Sequence, residues 1–231
     1  LVVHPGTGNA DGTLQNGLLH HHPHLKRLPR AGLIHRLDKN TSGLLIIAKT
    51  NESYTTLVSD LQERLITREY RAICMGVMTS GGKIDASLAR DPNNRIRFKI
   101  MNQGKRAVTH YRVLKKFDNH TFLGLRLETG RTHQIRAHLS HIKYPLVGDP
   151  LYGGRFFTPK GAKDELISGL KKFKRQALHA CLLSFKHPIT KKKLEFTSIL
   201  PYDMESLLLL LSEGSLSPES MNKLIYPEVK V

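Results

Sequence analysis

Three groups far apart in the chain have side chains that could do chemistry together. The first is an aspartate in His35-Arg36-Leu37-Asp38-Lys39-Asn40-Thr41-Ser42-Gly43, directly ahead of an apolar run. A carboxylate held at the mouth of a cleft can attack as a nucleophile or take a proton. The plain alternative is an Asx-turn with no chemistry. The second is the basic cluster Gly130-Arg131-Thr132-His133-Gln134-Ile135-Arg136. Arg136 follows the apolar Ile135 and should leave a helix beside its core face. A partly buried guanidinium needs an acid, whether a catalytic one or a local structural partner such as Glu128. The third is Tyr70, between Glu69 and Arg71 on a strand, which taken alone reads as plain core.

Several elements must position these residues. Leu44-Leu45-Ile46-Ile47-Ala48 reads as a short apolar strand. Asn51 can cap a helix running to about residue 65, with Leu57, Leu61 and Leu65 on one face. Residues 68–77 alternate as a strand, and Gly81-Gly82 marks a turn. Residues 107–115 and 120–128 are strands joined at Asp118-Asn119. Thr132 can cap a helix whose apolar face is Ile135, Leu139 and Ile142. Residues 1–32 are rich in Gly, His and Pro and read as loops. A basic loop-and-helix segment spans 154–176, two strands flank Pro188 within 177–200, and the last 25 residues are helical and then frayed. Hairpins and strands dominate, so the expected class is α+β, a largely antiparallel mixed sheet flanked by helices.

Composition narrows the partner. The chain has 231 residues and 39% hydrophobic content, enough to build a large core. No apolar run of about 18 residues exists, so no membrane-spanning helix is expected. Thirty-six Lys and Arg against 19 Asp and Glu leave a net charge of +17, which favours a polyanion such as nucleic acid. Cys74 and Cys181 cannot form a disulfide framework or a four-thiolate zinc site and read as reduced core residues of a cytosolic protein. Lys171-Lys172-Phe173-Lys174-Arg175 is a candidate phosphate-binding rim, or else a solvated helix face. The chain starts Leu1-Val2-Val3 without Met, and it is expected to be a fragment lacking its N-terminal part.

Together these motifs carry a resemblance. His35-Arg36-Leu37-Asp38 with Thr41-Ser42-Gly43, Arg68-Glu69-Tyr70-Arg71-Ala72, Gly130-Arg131-Thr132-His133-Gln134-Ile135-Arg136 and Val147-Gly148-Asp149-Pro150-Leu151-Tyr152-Gly153-Gly154 stand in the order found in the RluA family of pseudouridine synthases. The likeness runs from Val3-His4-Pro5-Gly6 to His187-Pro188-Ile189. It implies one catalytic domain over 1–231, with a small S4-type RNA-binding domain that a branch of the family carries in front missing. It implies isomerisation of uridine to its C-glycoside in large-subunit ribosomal RNA, without cofactor or metal, by a cytoplasmic monomer. It makes Asp38 the essential aspartate, Tyr70 the ring that stacks on the target base and a candidate proton acceptor, and Arg136 the partner of the aspartate. Arg36 would fill the gap left by the extruded nucleotide. Beside these, His35, Arg131 and the basic run of Lys171, Lys172, Lys174 and Arg175 are expected to contact RNA.

The reaction suits those residue types. It breaks the N1–C1′ bond, turns the base and joins C5 to C1′, so nothing enters from outside. Asp38 must be ionised either to attack or to act as a base; a dry cleft penalises that charge and a contacting Arg136 restores it. Extruding the base costs a few kcal/mol, and stacking on Tyr70 can return roughly 1–3 kcal/mol. Other features carry less. His20-His21-His22-Pro23-His24 reads as a loop rather than a metal tract, and His133 and His138 have the wrong spacing for a helical zinc pair. Gly6-Thr7-Gly8 lacks a nucleotide-fold context, and Asp149 with Tyr152 reads as a structural turn beside the site. The competing readings are a transfer-RNA synthase of the same family, a non-catalytic RNA-binding assembly factor and a hydrolytic glycosidase. The last would want a second acid near Asp38.

Overall fold

The computed structural model describes residues 1–6, 9–156, 158–159, 161–217 and 219–220. Residues 7 and 8 of the glycine motif and the chain end beyond 220 lie outside these. The core of the fold is a seven-stranded sheet. Its strands are β1 (Ser42–Gly43), β2 (Thr67–Met75), β3 (Gly82–Asp85), β6 (Val108–Lys116), β7 (His120–Leu127), β8 (Leu178–Lys186) and β9 (Lys193–Thr197). The order is β1-β8-β2-β7-β6-β3, with β9 also on β8. Only β1–β8 is parallel. The strands β4 (Leu88–Asp91) and β5 (Asn94–Ile100) form a separate hairpin. The expected α+β class, with its mixed sheet and flanking helices, is the one observed.

Strand periodicity gives the sheet two different faces. On one, Tyr70, Ala72 and Cys74 of β2 meet Leu123, Leu125 and Leu127 of β7 and are covered by Ile135 and Leu139 of α3 (Gln134–His141). On the other, Ile73 and Phe122 pack under Leu170 of α4 (Asp164–Lys172) and Met204, Leu207, Leu208 and Leu211 of α5 (Tyr202–Leu211). The α5 residues recur at helical spacing, which makes one apolar stripe. The first face opens into a cleft at Tyr70.

Several local expectations need correction. Leu44–Ala48 is not a strand: Leu44 N–H still reaches the Ala180 carbonyl of the sheet, but the N–H of Ile46 goes to the His35 ring, that of Ala48 goes to the Gly32 carbonyl, and Ile47 makes only an isolated bridge with Leu33. The α2 helix (Asn51–Gln62) is capped by Thr50, whose side chain accepts from Ser53, not by Asn51, and Leu65 is left 60% exposed beyond its end. Thr132 does not cap α3; His133, at φ 55, holds the N-cap position without a side-chain bond. The first 32 residues are not all loop, because α1 (Leu14–His21) and two 3₁₀ turns lie there.

Candidate active site

The Asp38 loop is fixed from beneath. Thr41 N–H closes a turn on the Asp38 carbonyl at 2.9 Å. Gln176 donates to the Lys39 carbonyl (2.7 Å) and the Thr41 hydroxyl (2.9 Å). Arg175 donates to the Asn40 carbonyl at 3.2 Å. The loop ends at Gly43, φ 107, where a Cβ would come within 2.1 Å of the Ala180 carbonyl oxygen; only glycine allows β1 to lie this close to β8. The backbone of Asp38, not its carboxylate, makes the turn. The side chain is free to face α3.

Arg136 meets it there. Its Nη1 donates to Asp38 Oδ2 at 3.3 Å. Its Nε and Nη2 form a two-pronged pair with Asp149, at 2.7 and 2.9 Å. The guanidinium also lies 5.0 Å from the Tyr152 ring centroid. Asp149 is fully buried on its side chain and accepts from the N–H groups of Leu151 and Tyr152 as well. Burial works against the Arg136 charge, but the Asp149 hydrogen bonds and the two carboxylate charges overrule it and raise its pKa. The acid that Arg136 requires is therefore not Glu128, which is held by Arg64 (2.8 Å) and His110 (2.6 Å). Asp149 is more than the turn its neighbours Gly148 and Pro150 suggest. The glycine–aspartate–proline motif signals the turn; its pairing with a residue 13 positions earlier becomes visible only in three dimensions.

Asp38, Tyr70, His35, Arg36, Arg68 and Arg131 line one cleft of about 460 Å³. Arg136 stands behind Asp38 and is not on that wall, so it positions the carboxylate from the protein side. Tyr70 is buried, which pushes its phenol up to about 12, with the Asp38 charge adding to the effect and Arg68 opposing it. The ring enters the cleft as a neutral phenol. Arg36 is exposed at the mouth, 3.1 Å from His4 Nε2. Arg131 is exposed, with its Nε on the Arg106 carbonyl at 3.3 Å. Gln134 ties its loop down, accepting from Thr129 and from the Arg131 N–H.

Two expected RNA contacts have other tasks. His35 Nε2 accepts from the Ile46 N–H at 3.0 Å; burial and the nearby Arg68 charge push its pKa down to about 3, so it adds no positive charge. Arg175 is engaged with Asp203 (2.6 and 2.7 Å) and with backbone carbonyls, and it acts as a brace for the Asp38 loop. Lys171 and Lys172 remain exposed at the end of α4, and Lys174 just beyond it. Lys171 and Lys174 border a separate cavity of about 360 Å³ that is lined by Asp149 and not by Asp38. Among the described residues no group of three or more His, Cys, Asp or Glu side chains could hold a metal, and no helix is long and apolar enough to cross a membrane.

Comparison with known proteins fits this geometry. Residues 2–141 match the RNA pseudouridylate synthase family. The chain is 55% identical over 207 residues to ribosomal large subunit pseudouridine synthase D of Pasteurella multocida (strain Pm70). It is 54% identical over 208 residues to the protein of that name from Escherichia coli (strain K12). Each alignment takes in 90% of this chain but 64% of the relative, so the chain spans less than two thirds of those proteins. Among solved structures, Human RNA Pseudouridylate Synthase Domain Containing 1 superposes with a TM-score of 0.65 at 26% identity, covering 96% of this chain and 89% of that one. Human RNA Pseudouridylate Synthase Domain Containing 4 gives 0.61 at 26% identity, covering 78% and 75%. The chain belongs to the RNA pseudouridylate synthase family.

Proposed function

We propose that this chain isomerises uridines to pseudouridine in large-subunit ribosomal RNA, with Asp38 as its catalytic carboxylate. The supporting observation is the Asp38–Arg136–Asp149 array at the end of a cleft that also holds Tyr70. One guanidinium between two carboxylates fixes Asp38 at the cleft wall, as attack at C1′ or proton abstraction from the ribose both require. Tyr70 is the platform for the extruded base. A neutral phenol can stack, while accepting a proton would first require losing its own, so stacking is the role its burial favours. Arg36, exposed beside Asp38, fills the space the nucleotide leaves. Arg131 and the lysines of α4 meet phosphates along the rim. Acting on ribosomal RNA, the protein works in the cytoplasm, as a monomer, on the assembling large subunit.

Tritium release from 5-tritiated uridine in a large-subunit ribosomal RNA transcript tests this, with Asp38→Asn as the control. Release that depends on Asp38 is expected. No release from ribosomal RNA but release from transfer RNA would move the substrate. Release from neither, with RNA binding intact, would make the chain a binding factor. Mapping pseudouridines in ribosomal RNA from a deletion strain then identifies the uridines.

A further inference from the structure

β2 turns two side chains into the cleft, Tyr70 and Arg68. Arg68 is 5% exposed, and its Nε is sealed from solvent without a hydrogen-bond partner. Among the described residues its side chain makes no hydrogen bond and no ion pair. The cleft wall offers two carboxylates, and both are engaged elsewhere: Asp38 by Arg136, and Glu128 by Arg64 and His110. Room is nevertheless kept for the guanidinium. A Cβ on Gly130 would come within 2.6 Å of its Nη1, so the glycine clears its place. A buried cation without a counter-charge costs several kcal/mol. Such a group is kept where a ligand supplies the negative charge.

RNA brings negative charge of two kinds. Phosphates run along its outside, within reach of the exposed Arg36 and Arg131. Arg68 lies deeper, on the Tyr70 side of the strand. Alternate residues on a strand are about 6.5–7 Å apart, so a pyrimidine lying on Tyr70 presents an edge to Arg68.

We propose that Arg68 is a catalytic residue that donates hydrogen bonds to the carbonyl oxygens of the flipped uracil and stabilises the negative charge the base carries when it is detached. This rests on the function proposed above. When N1–C1′ breaks, the bonding pair leaves with the base and spreads over O2 and O4. C1′ is taken up by an Asp38 oxygen, or the ribose gives its C2′ proton to Asp38. The base turns, and C5 returns a pair to C1′, releasing the carboxylate or recovering the C2′ proton. C5 then loses its proton to water and N1 gains one. Both routes pass through the detached anion, and a guanidinium already in place serves either.

The test is Arg68→Met in the full chain, in three measurements. Single-turnover tritium release from 5-tritiated ribosomal or transfer RNA should fall about 100-fold. The Kd for the same RNA, measured in an Asp38→Asn background, should stay within about threefold. The melting temperature should hold or rise, because an unpaired buried charge is removed. Free guanidinium should restore part of the rate to Arg68→Ala. Arg68→Gln gives the same reading if the Met variant does not fold. A release rate within about threefold of the parent overturns the proposal. So does a loss carried wholly by Kd with a log–log salt slope lowered by about one, which marks a phosphate contact instead. A parent chain that releases no tritium overturns the function reading and this proposal together; an active parent with an unaffected Arg68 variant overturns this one alone.

Discussion

Arg68 and Arg136 are each 5% exposed, on the same side of the same sheet, yet only one is neutralised. Arg136 has Asp149 on two nitrogens, Asp38 on the third and the Tyr152 ring 5.0 Å away. Its pKa is raised despite burial. Arg68 has no carboxylate, and burial lowers its pKa with only Tyr70 opposing. The contrast separates two uses of a buried charge. The paired guanidinium is a structural fixture whose surplus is the aim of Asp38. The unpaired one carries an unmet electrostatic demand that a substrate can meet. Stability and turnover should therefore respond in opposite proportions at the two positions.

The largest effect should come from Asp38, the carboxylate that Arg136 holds. Asp38→Asn is expected to lower single-turnover tritium release by about 10⁴-fold or more while leaving RNA affinity near the parent's. Because Arg136 keeps Asp149, the same variant should unfold within about 1 kcal/mol of the parent in urea. Arg136→Met comes next and reads on both axes. It strands Asp149, whose side chain is 0% exposed, so unfolding free energy should drop by about 3–5 kcal/mol along with turnover. If Arg136→Met lowered turnover without loss of stability, the distinction between the two arginines would be wrong.

The two arginines also differ in how far the sequence reveals them. The strands β2, β6 and β7 are legible because apolar and polar residues alternate and turn residues punctuate them. That Arg136 needs an acid is legible because a buried guanidinium requires one, but that the acid is Asp38 is read from the family resemblance and not from the residue itself. Asp149 is not, since Gly148 and Pro150 give it the local chemistry of a turn and its pairing is made by folding. Leu44–Ala48 misleads because its hydrophobicity reports burial but not a hydrogen-bond partner, and here the partner of Ile46 is a histidine ring. The β4–β5 hairpin goes unread although Ile96, Phe98 and Ile100 alternate with basic residues, because so basic a segment resembles surface. Arg68 stands in a recognisable motif; that it is unpaired depends on where every acid in the cleft has gone.

A smaller effect probes the cleft floor through pH. His35 must be neutral to accept the Ile46 N–H, and its pKa falls from 6.5 to about 3 on folding. A depressed value means that the unfolded chain binds more protons in between. The stabilisation is thus complete above about pH 6.5 and is lost as pH falls toward about 3, at up to about 1.4 kcal/mol per pH unit. Buried His120, lowered to about 4, adds a parallel loss over a narrower range. His35→Gln can still accept the hydrogen bond but does not titrate. Urea unfolding from about pH 7.5 to 4 should show a shallower acid leg for that variant, with the His120 part remaining. An unchanged acid leg would place the His35 ring in solvent contact rather than on the loop.

The smallest effect sets the rim against the brace. Lys171 and Lys172 are exposed at the end of α4, whereas Arg175 is bound to Asp203 and to the Asn40 carbonyl. If the lysines meet phosphates, Lys171→Gln with Lys172→Gln should weaken RNA binding a few-fold. The salt slope should fall by about one for each phosphate no longer neutralised, with the rate of the bound complex unchanged. Arg175→Met should do the reverse, leaving the salt slope alone and slowing the bound complex as the Asp38 loop loosens. Lys171 borders a cavity that shares only Asp149 with the catalytic array, and Lys172 follows it on α4, so RNA that reaches them must extend beyond the Asp38 cleft. A salt slope insensitive to both lysines would confine the RNA to the Asp38 cleft, where Arg36 and Arg131 would then carry the phosphate contacts by themselves.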